Sequence, residues 1–448
     1  MTPEPVSYRE RCERVSTAVR TRSGQPLGLA KRTSNLFRDR HEGAKQRLDL
    51  GDFTHVLEVN AREGWVDVEG LVSYEALVDA TLAHGVMPQV VPQLKTITAG
   101  GAVAGVGIEA TSFHHGLVHD TLIEADMLLA SGEVVTCRPD NAHRELFLGL
   151  PNSYGTLGYA LRLRLRTQPV RPFVQVEHRH CTSSREFFAA LQAACDGEAD
   201  FVDGVVFARD DLVLNVARFV QEAPWRSDYG FEQIYYRSLR ARPIDYLSTA
   251  DYLWRWDTDW FWCSKNVGAQ HPWVRRLLGR RRLNSRTYTQ LMRWNARWGL
   301  TRRLARLRGL HTESVIQDVD LPLDSAAPFL DFLLAEIGIL PIWACPIRPA
   351  DPALPFALYP LVPGTRYLNF GFWDVVAGRT AHEPGHFNRL VERRVIELGG
   401  IKSLYSDSFF TRREFARAYR MGRYEALKAR YDPDSRLLGL YEKCVQRA

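Results

Sequence analysis

Between Thr98 and Ala110 the chain sets Gly100, Gly101, Gly105 and Gly107 among Ala99, Ala102 and Ala104, and no other stretch restricts the fold as tightly. Glycine at this density either packs a tight turn between strands or brings backbone N–H groups up to a phosphate with no Cβ in the way. The third glycine of G-x-G-x-x-G is missing, because that position is Ala110, and the following SFHHGLVHD does not read as the opening of a helix. A Rossmann turn is thereby excluded, and a nucleotide bound here needs a different frame.

The surrounding pattern supplies such a frame. From His55 to Gly85 the sequence reads as strand, turn, strand and helix: VLEV, AREG, WVDVEG, then YEALVDATLAHG with Ser73 as N-cap and Gly85 as stop. TLIEADMLLASGEVVTC reads as two strands around a Ser131-Gly132 turn, and ELFLGLPNSYGTLGYALRLRLRT as a short helix, a glycine turn and a strand alternating arginine with leucine. At 448 residues the chain exceeds a single ordinary core, which stops growing at roughly 250–300 residues, so two domains are expected. The prolines at 169 and 172 mark the boundary. We expect a first domain over 1–170, a second over 171–400 with long helical stretches before the apolar strand ILPIWACPI, and a tail over 401–448 whose amphipathic helix docks back on the first domain.

Several function classes fall away on composition. The seven cysteines are dispersed, with no C-x-x-C pair and no His/Cys cluster at metal spacing, so no metal is expected and a reduced cytoplasmic setting is. MTPEPVSYRERCERV has charges where a signal peptide needs an apolar run, and no stretch has the length that spans a bilayer. The net charge of +6 is unevenly spread: residues 271–310 hold twelve arginines and no acidic residue, and the remainder carries −6. A basic face interleaved with tryptophan and leucine meets phosphate. An anionic membrane surface is the expected partner and nucleic acid is not, since no recognition motif accompanies the charge. Lysine supplies seven of the 58 basic residues, a bias compatible with a GC-rich bacterial genome.

The order T-x-G-G-x-x-x-G-x-G, H-x-x-G and a strand pair containing ASGEVV resembles the FAD-binding domain of the vanillyl-alcohol-oxidase and p-cresol-methylhydroxylase (PCMH) group. Across both halves, TAGGAVAGVGIEATSFHHGL, LFLGLPNSYGTLGY, WRWDTDWFW, PIWACPI and LYSDSFFTRREF resemble segments of the FAD-dependent delta-24-sterol reductases. The resemblance implies an α+β, two-domain PCMH-type fold with an α/β cap, and FAD held without a covalent bond. It implies that Thr98, Gly100, Gly101, Ala102, Val103, Gly105, Gly107, Ile108, Glu109 and Ser112 line the flavin nucleotide and that Gly155, Thr156, Leu157 and Gly158 close its pocket. Thr33, Ser34 and Asn35, within KRTSN, take the place of an N-terminal phosphate loop, although the usual glycines are absent. Histidines carry covalent flavin in some of the wider group, which directs attention to His114, His115 and His119.

The implied reaction is reduction of an unactivated carbon–carbon double bond in a lipid, with NADPH as electron donor. We expect a 10-methylene fatty acyl chain going to the 10-methyl form, with a bacterial methylene-fatty-acyl reductase as the kind of member implied. The alternatives are a delta-24 sterol side chain, or an alcohol oxidase or dehydrogenase on the same fold. A rival of another class is a peripheral membrane-binding protein with a decayed flavin site. An isolated alkene accepts hydride only when a proton arrives and positive charge develops on carbon, so the site needs an acid and a wall that tolerates a cation. Trp254, Trp256, Trp260 and Trp262 offer aromatic faces for that wall. For the acid the candidates are Asp407, Tyr405, Asp257 and Asp259; Lys265, Trp343, Cys345 and Asn369 are further pocket candidates.

Overall fold

The computed structural model describes residues 7–21, 24–30, 46–298, 303, 305 and 307–446. The KRTSN segment, with Thr33, Ser34 and Asn35, lies outside the described residues.

The first domain is built on an antiparallel sheet in the order Val56–Asn60, Trp65–Glu69, Tyr159–Pro169, Leu122–Leu128, Val134–Cys137, with Val86–Pro88 paired to the far end of Tyr159–Pro169. Alternation along Tyr159–Pro169 decides its two faces. Leu161, Leu163 and Leu165 are buried, while Arg162 on the other face is held by Asp67, Glu124 and Asp126, and Arg164 by Asp67. The helix Tyr74–Leu82 starts where Ser73 accepts from the Ala76 N–H, and the chain turns out of it through Gly85 at φ +71°.

The second domain is an eight-stranded sheet in the order Ile244–Ser248, Phe173–Cys181, Asp211–Val220, Phe201–Ala208, Ile342–Ile347, Tyr367–Gly378, His311–Pro322, Ile401–Lys402. The long helices expected over much of this region give way to strands, because runs such as FVDGVVFA, DLVLNVARFV and YLNFGFWDVV alternate β-branched and aromatic residues with period two. One face carries Val315, Val319, Leu321, Leu368, Phe370, Phe372, Ile342 and Ala344, packed under the helices Ser184–Cys195, Ala326–Phe332 and His386–Glu397. The opposite face, carrying Trp343, Cys345 and Trp373, joins the core of the first domain in one continuous apolar cluster. Together the two halves form the α+β two-domain arrangement the sequence led us to expect.

The tail returns to the first domain through three helices, Arg412–Ala418, Met421–Tyr431 and Leu440–Cys444, the first two separated at Arg420 where φ is +47°. Lys428 there donates to the Thr156 carbonyl at 2.9 Å, and Arg436 to the Val19 carbonyl at 3.1 Å. No helix among the described residues is long and apolar enough to cross a membrane.

Candidate active site

A cavity of about 660 Å³ runs from Leu27–Leu29, Arg47 and Leu437 at one end, along the glycine stretch, to Trp260, Phe261, Trp343 and Trp373 at the other. That volume lies within the range of about 300–1,000 Å³ typical of ligand and cofactor sites.

The glycine stretch forms one wall as the short helix Ala99–Ala104, whose N-cap Thr98 accepts from the Gly101 N–H. It sits hard against the first sheet. A Cβ on Gly100 would lie 2.8 Å from the Gly70 carbonyl oxygen, and one on Gly70 only 2.0 Å from that of Ala160. Gly107 is likewise filled, by Val118 at 2.7 Å from its would-be Cβ. Gly101 is different, being exposed on the cavity wall. The structure therefore divides the glycines between internal packing and the open face. SFHH, expected to be non-helical, forms one helical turn, Ser112–His115.

Of the residues implied to hold FAD, Thr98, Gly100, Gly101, Ala102, Val103, Gly105, Gly107, Ile108, Gly155 and Gly158 line the cavity. Glu109, Ser112, Thr156 and Leu157 are buried behind it. Ser112 supports the turn by accepting from the Glu109 N–H at 3.1 Å. Glu109 shares Arg255 with Asp203, at 2.9 and 3.0 Å, and burial pushes its carboxyl up to about 7. None of His114, His115 and His119 lines the cavity. His114 and His115 bond Ala199 O and Gln168 Oε1, and burial drives His119 down to about 3.

An open glycine face, a long cavity, and the cations Arg47 and Lys443 on its lining fit FAD: the two cations would face a diphosphate and the aromatic end would take the flavin ring. When bound and reduced, FAD supplies a hydride.

The aromatic end is drawn from both domains. The segment DTDWFW turns sharply, with Trp260 at φ +44° and Phe261 at φ +57°, conformations costly for bulky residues and kept where surrounding structure enforces them. Only Trp260 of the four expected tryptophans lines the cavity; Phe261, Trp343 and Trp373 complete the wall. Trp262 is fully buried behind Phe261 and Trp373, and Trp256 stacks on Phe261 with centroids 4.9 Å apart.

Among the expected acids, Tyr405 lines the cavity and accepts from Trp373 Nε1 at 2.8 Å. Asp407 does not line it; the Asp407 carbonyl accepts from Lys402, part of a buried cluster with Glu392 and Ser408. Asp257 is buried under Ser285 and the Lys95 N–H, and Asp259 pairs with Arg275, so both serve to anchor the chain. Lys265 pairs with Asp374 at 2.7 Å, the Cys345 thiol faces the Glu109 carbonyl, and Asn369 donates to Asp320 at 2.8 Å.

Among the described residues, the carboxyl that lines the cavity is Asp318. Burial pushes it up to about 8, with Asp320 adding to the rise. It stands opposite Gly371, where a Cβ would come within 2.7 Å of Asp318 Oδ1 and 2.5 Å of the Trp373 ring. The sequence carried a signal for it: in SVIQDVDLP, Asp318 and Asp320 share one face of a strand whose other face is Val315, Val319 and Leu321.

Residues 13–138 match the family described as FAD binding domain. The chain is 25% identical to the Arabidopsis thaliana delta(24)-sterol reductase and 24% identical to the Homo sapiens delta(24)-sterol reductase, each alignment covering 88% of this chain and 76% of the relative. Cytokinin dehydrogenase 5 of Oryza sativa subsp. japonica is 29% identical over a shorter region, 39% of this chain and 30% of that protein. Cavity, cofactor wall and a likeness that covers 88% of the chain agree, and the chain is an FAD-dependent oxidoreductase homologous to the delta(24)-sterol reductases.

Proposed function

We propose that this enzyme reduces an unactivated carbon–carbon double bond in a lipid, with a methylene-branched fatty acyl chain of a phospholipid as substrate and NADPH as the source of electrons. The carrying observation is the aromatic part of the cavity lining, where Trp260, Phe261, Trp343 and Trp373 line the space together with Tyr405 and Asp318. Aromatic faces stabilise a buried cation by roughly 0.5–2 kcal/mol each, which suits a substrate whose protonation leaves a tertiary cation. The delta(24)-sterol side chain named by the relatives presents the same chemistry, a trisubstituted alkene in place of a methylene branch. The exposed arginines of the second domain favour the phospholipid, since they would bring the cavity to an anionic headgroup layer. FAD is held without a covalent link in this reading, because the three histidines stand away from the cavity.

The test supplies the purified holoenzyme with NADPH and, separately, a phospholipid bearing a 10-methylene chain, a delta-24 sterol and a long-chain alcohol, with products read by mass spectrometry. Gain of two hydrogens on the methylene lipid supports the proposal. Turnover of the sterol alone moves the substrate to the second reading, and oxidation of the alcohol alone overturns the reductase reading.

A further inference from the structure

Bound FAD needs its flavin ring fixed as well as its diphosphate, and the cavity wall carries a side-chain amide that has no task inside the protein. Gln93 lines the cavity and is only 5% exposed, yet its Nε2 is buried with no hydrogen-bond partner among the described residues. A buried amide left unpaired costs about 1–3 kcal/mol, and such a group in a folded protein is normally met by a water or a ligand. The two ends of the amide have nearly the same shape, so a half-turn presents the NH2 to a ligand without disturbing the packing.

Its neighbours in the chain place that amide between the two walls of the cavity. Pro92 lies against the glycine stretch, 3.0 Å from where a Cβ on Gly107 would stand. Leu94 packs on the cluster of Trp260, Leu283 and Tyr288 behind the aromatic end. The segment itself is tightly fastened. The Ile97 carbonyl accepts from the Tyr74 N–H at 2.8 Å, the Leu94 carbonyl from the Ile97 N–H at 3.1 Å, and the Lys95 N–H donates to Asp257 at 3.1 Å. A rigid support of this kind suits a group that must hold a ring in register. The amide is neutral and matches a neutral carbonyl acceptor, whereas the cation Arg47 lies at the other end of the cavity, where the diphosphate is expected.

We propose that Gln93 donates a hydrogen bond to a carbonyl oxygen of the flavin's pyrimidine ring. The bond sets the ring's position at the aromatic end while the cations hold the diphosphate. It also favours the reduced cofactor. On taking up a hydride from a dihydronicotinamide, the flavin gains two electrons and one proton and is left with negative charge spread over the pyrimidine ring. A hydrogen bond to a charged acceptor is roughly twice as strong as one to a neutral acceptor, so Gln93 holds the reduced ring more tightly than the oxidised one and raises its reduction potential.

This inference stands on the cofactor and not on the proposed lipid, so its test needs no substrate. Infrared spectra are taken of holoenzyme loaded with FAD that is isotope-labelled at one or the other pyrimidine carbonyl carbon. One of the two carbonyl bands should move to higher wavenumber in Gln93→Met, whose side chain fills the same space without a donor. The reduction potential, read against redox dyes, should fall in the same variant by about 30 mV, which for a two-electron couple is a tenfold loss of preference for reduced flavin. Freed of FAD, Gln93→Met should melt no lower than wild type, because an apolar group of similar shape replaces an unpaired amide. Gln93→Glu supplies the sign by pH: as its carboxyl ionises with rising pH it loses its donor and repels the reduced ring, so the band should rise and the potential fall. This variant carries the test if Gln93→Met retains no flavin. Carbonyl bands that stay in place in both variants overturn the proposal, whether the amide then holds a water or the lipid. A lower melting temperature of FAD-free Gln93→Met with both bands unmoved overturns it as well and makes the amide a structural one.

Discussion

Gly101 and Gly105 stand four residues apart on the same wall, yet a side chain at each meets different resistance. Gly101 lies inside a helical turn and is exposed on the cavity wall, so valine there costs the helix nothing relative to glycine and adds its bulk on the face expected to take the cofactor. A Cβ on Gly105 would stand 2.7 Å from the Gly101 carbonyl, which is backbone and cannot rotate away. Gly101→Val should therefore purify folded but colourless, with circular dichroism and melting close to the wild-type apoprotein. Gly105→Val should lose both flavin and stability. Absorbance near 450 nm per polypeptide, read beside melting temperature, separates the two; a fully yellow Gly101→Val would mean that the cofactor runs elsewhere. At this scale the sequence was informative in proportion to locality. The glycines and Tyr405 announce themselves within a few residues, whereas Asp318 acquires its environment from Gly371, Trp373 and Tyr405, all distant in the chain.

The segment Arg255–Trp262 shows how one element serves several neighbours. Asp257 accepts from the Ser285 hydroxyl and N–H and from the Lys95 N–H, tying the start of the helix Ser285–Trp298 to the loop before the glycine stretch. Asp259 holds Arg275 of the helix Pro272–Leu278. Between and after these anchors the chain presents Trp260 and Phe261 to the cavity, and Trp260 lies parallel to Tyr288 with ring centroids 6.4 Å apart. Carboxylates between tryptophans look in sequence like acids at a reactive site; the structure turns them inward as fasteners, a distinction that period and spacing do not encode. Asp257→Ala strands two backbone N–H donors and a hydroxyl. Each buried group left unpaired costs about 1–3 kcal/mol, so the variant should lose several kcal/mol in denaturant unfolding and expose residues 285–298 to protease. Unchanged protease resistance would remove the anchoring role. The strand His311–Pro322 went unread because its polar positions, Gln317, Asp318 and Asp320, break the apolar run that marks a strand when neither face is known in advance.

On the scale of the whole molecule, the basic segment lies against the cavity and also faces outward. Its inner side packs Tyr288 and Leu283 against Trp260, with Leu94 and Leu278 beside them. Its outer side leaves Trp273 73%, Leu277 83% and Trp294 57% exposed, a degree of exposure that large apolar side chains seldom keep without a partner surface. The arginines are not equivalent. Arg275 is buried on Asp259, Arg280 pairs with Asp228 and Arg286 with Glu75, whereas Arg276, Arg281 and Arg282 are exposed and make no ion pair among the described residues. These three are among the charges available to an anionic bilayer, each contributing on the order of 1 kcal/mol near its surface. Reversing all three to glutamate replaces attraction with repulsion and should lower affinity for phosphatidylglycerol-containing vesicles by at least about 100-fold, since every 1.4 kcal/mol is tenfold. The flavin spectrum should not change, because none of the three lines the cavity. Raising salt from 0.1 to 1 M shortens the screening length from about 10 to about 3 Å, so wild-type binding should weaken while the part owed to Trp273 and Leu277 persists. Co-sedimentation with phosphatidylcholine vesicles, with and without phosphatidylglycerol, reads both effects. Equal binding of the wild type to the two vesicle types would show that the basic face does not meet a membrane, and the route by which a lipid reaches Trp260 would have to be sought on another side of the cavity.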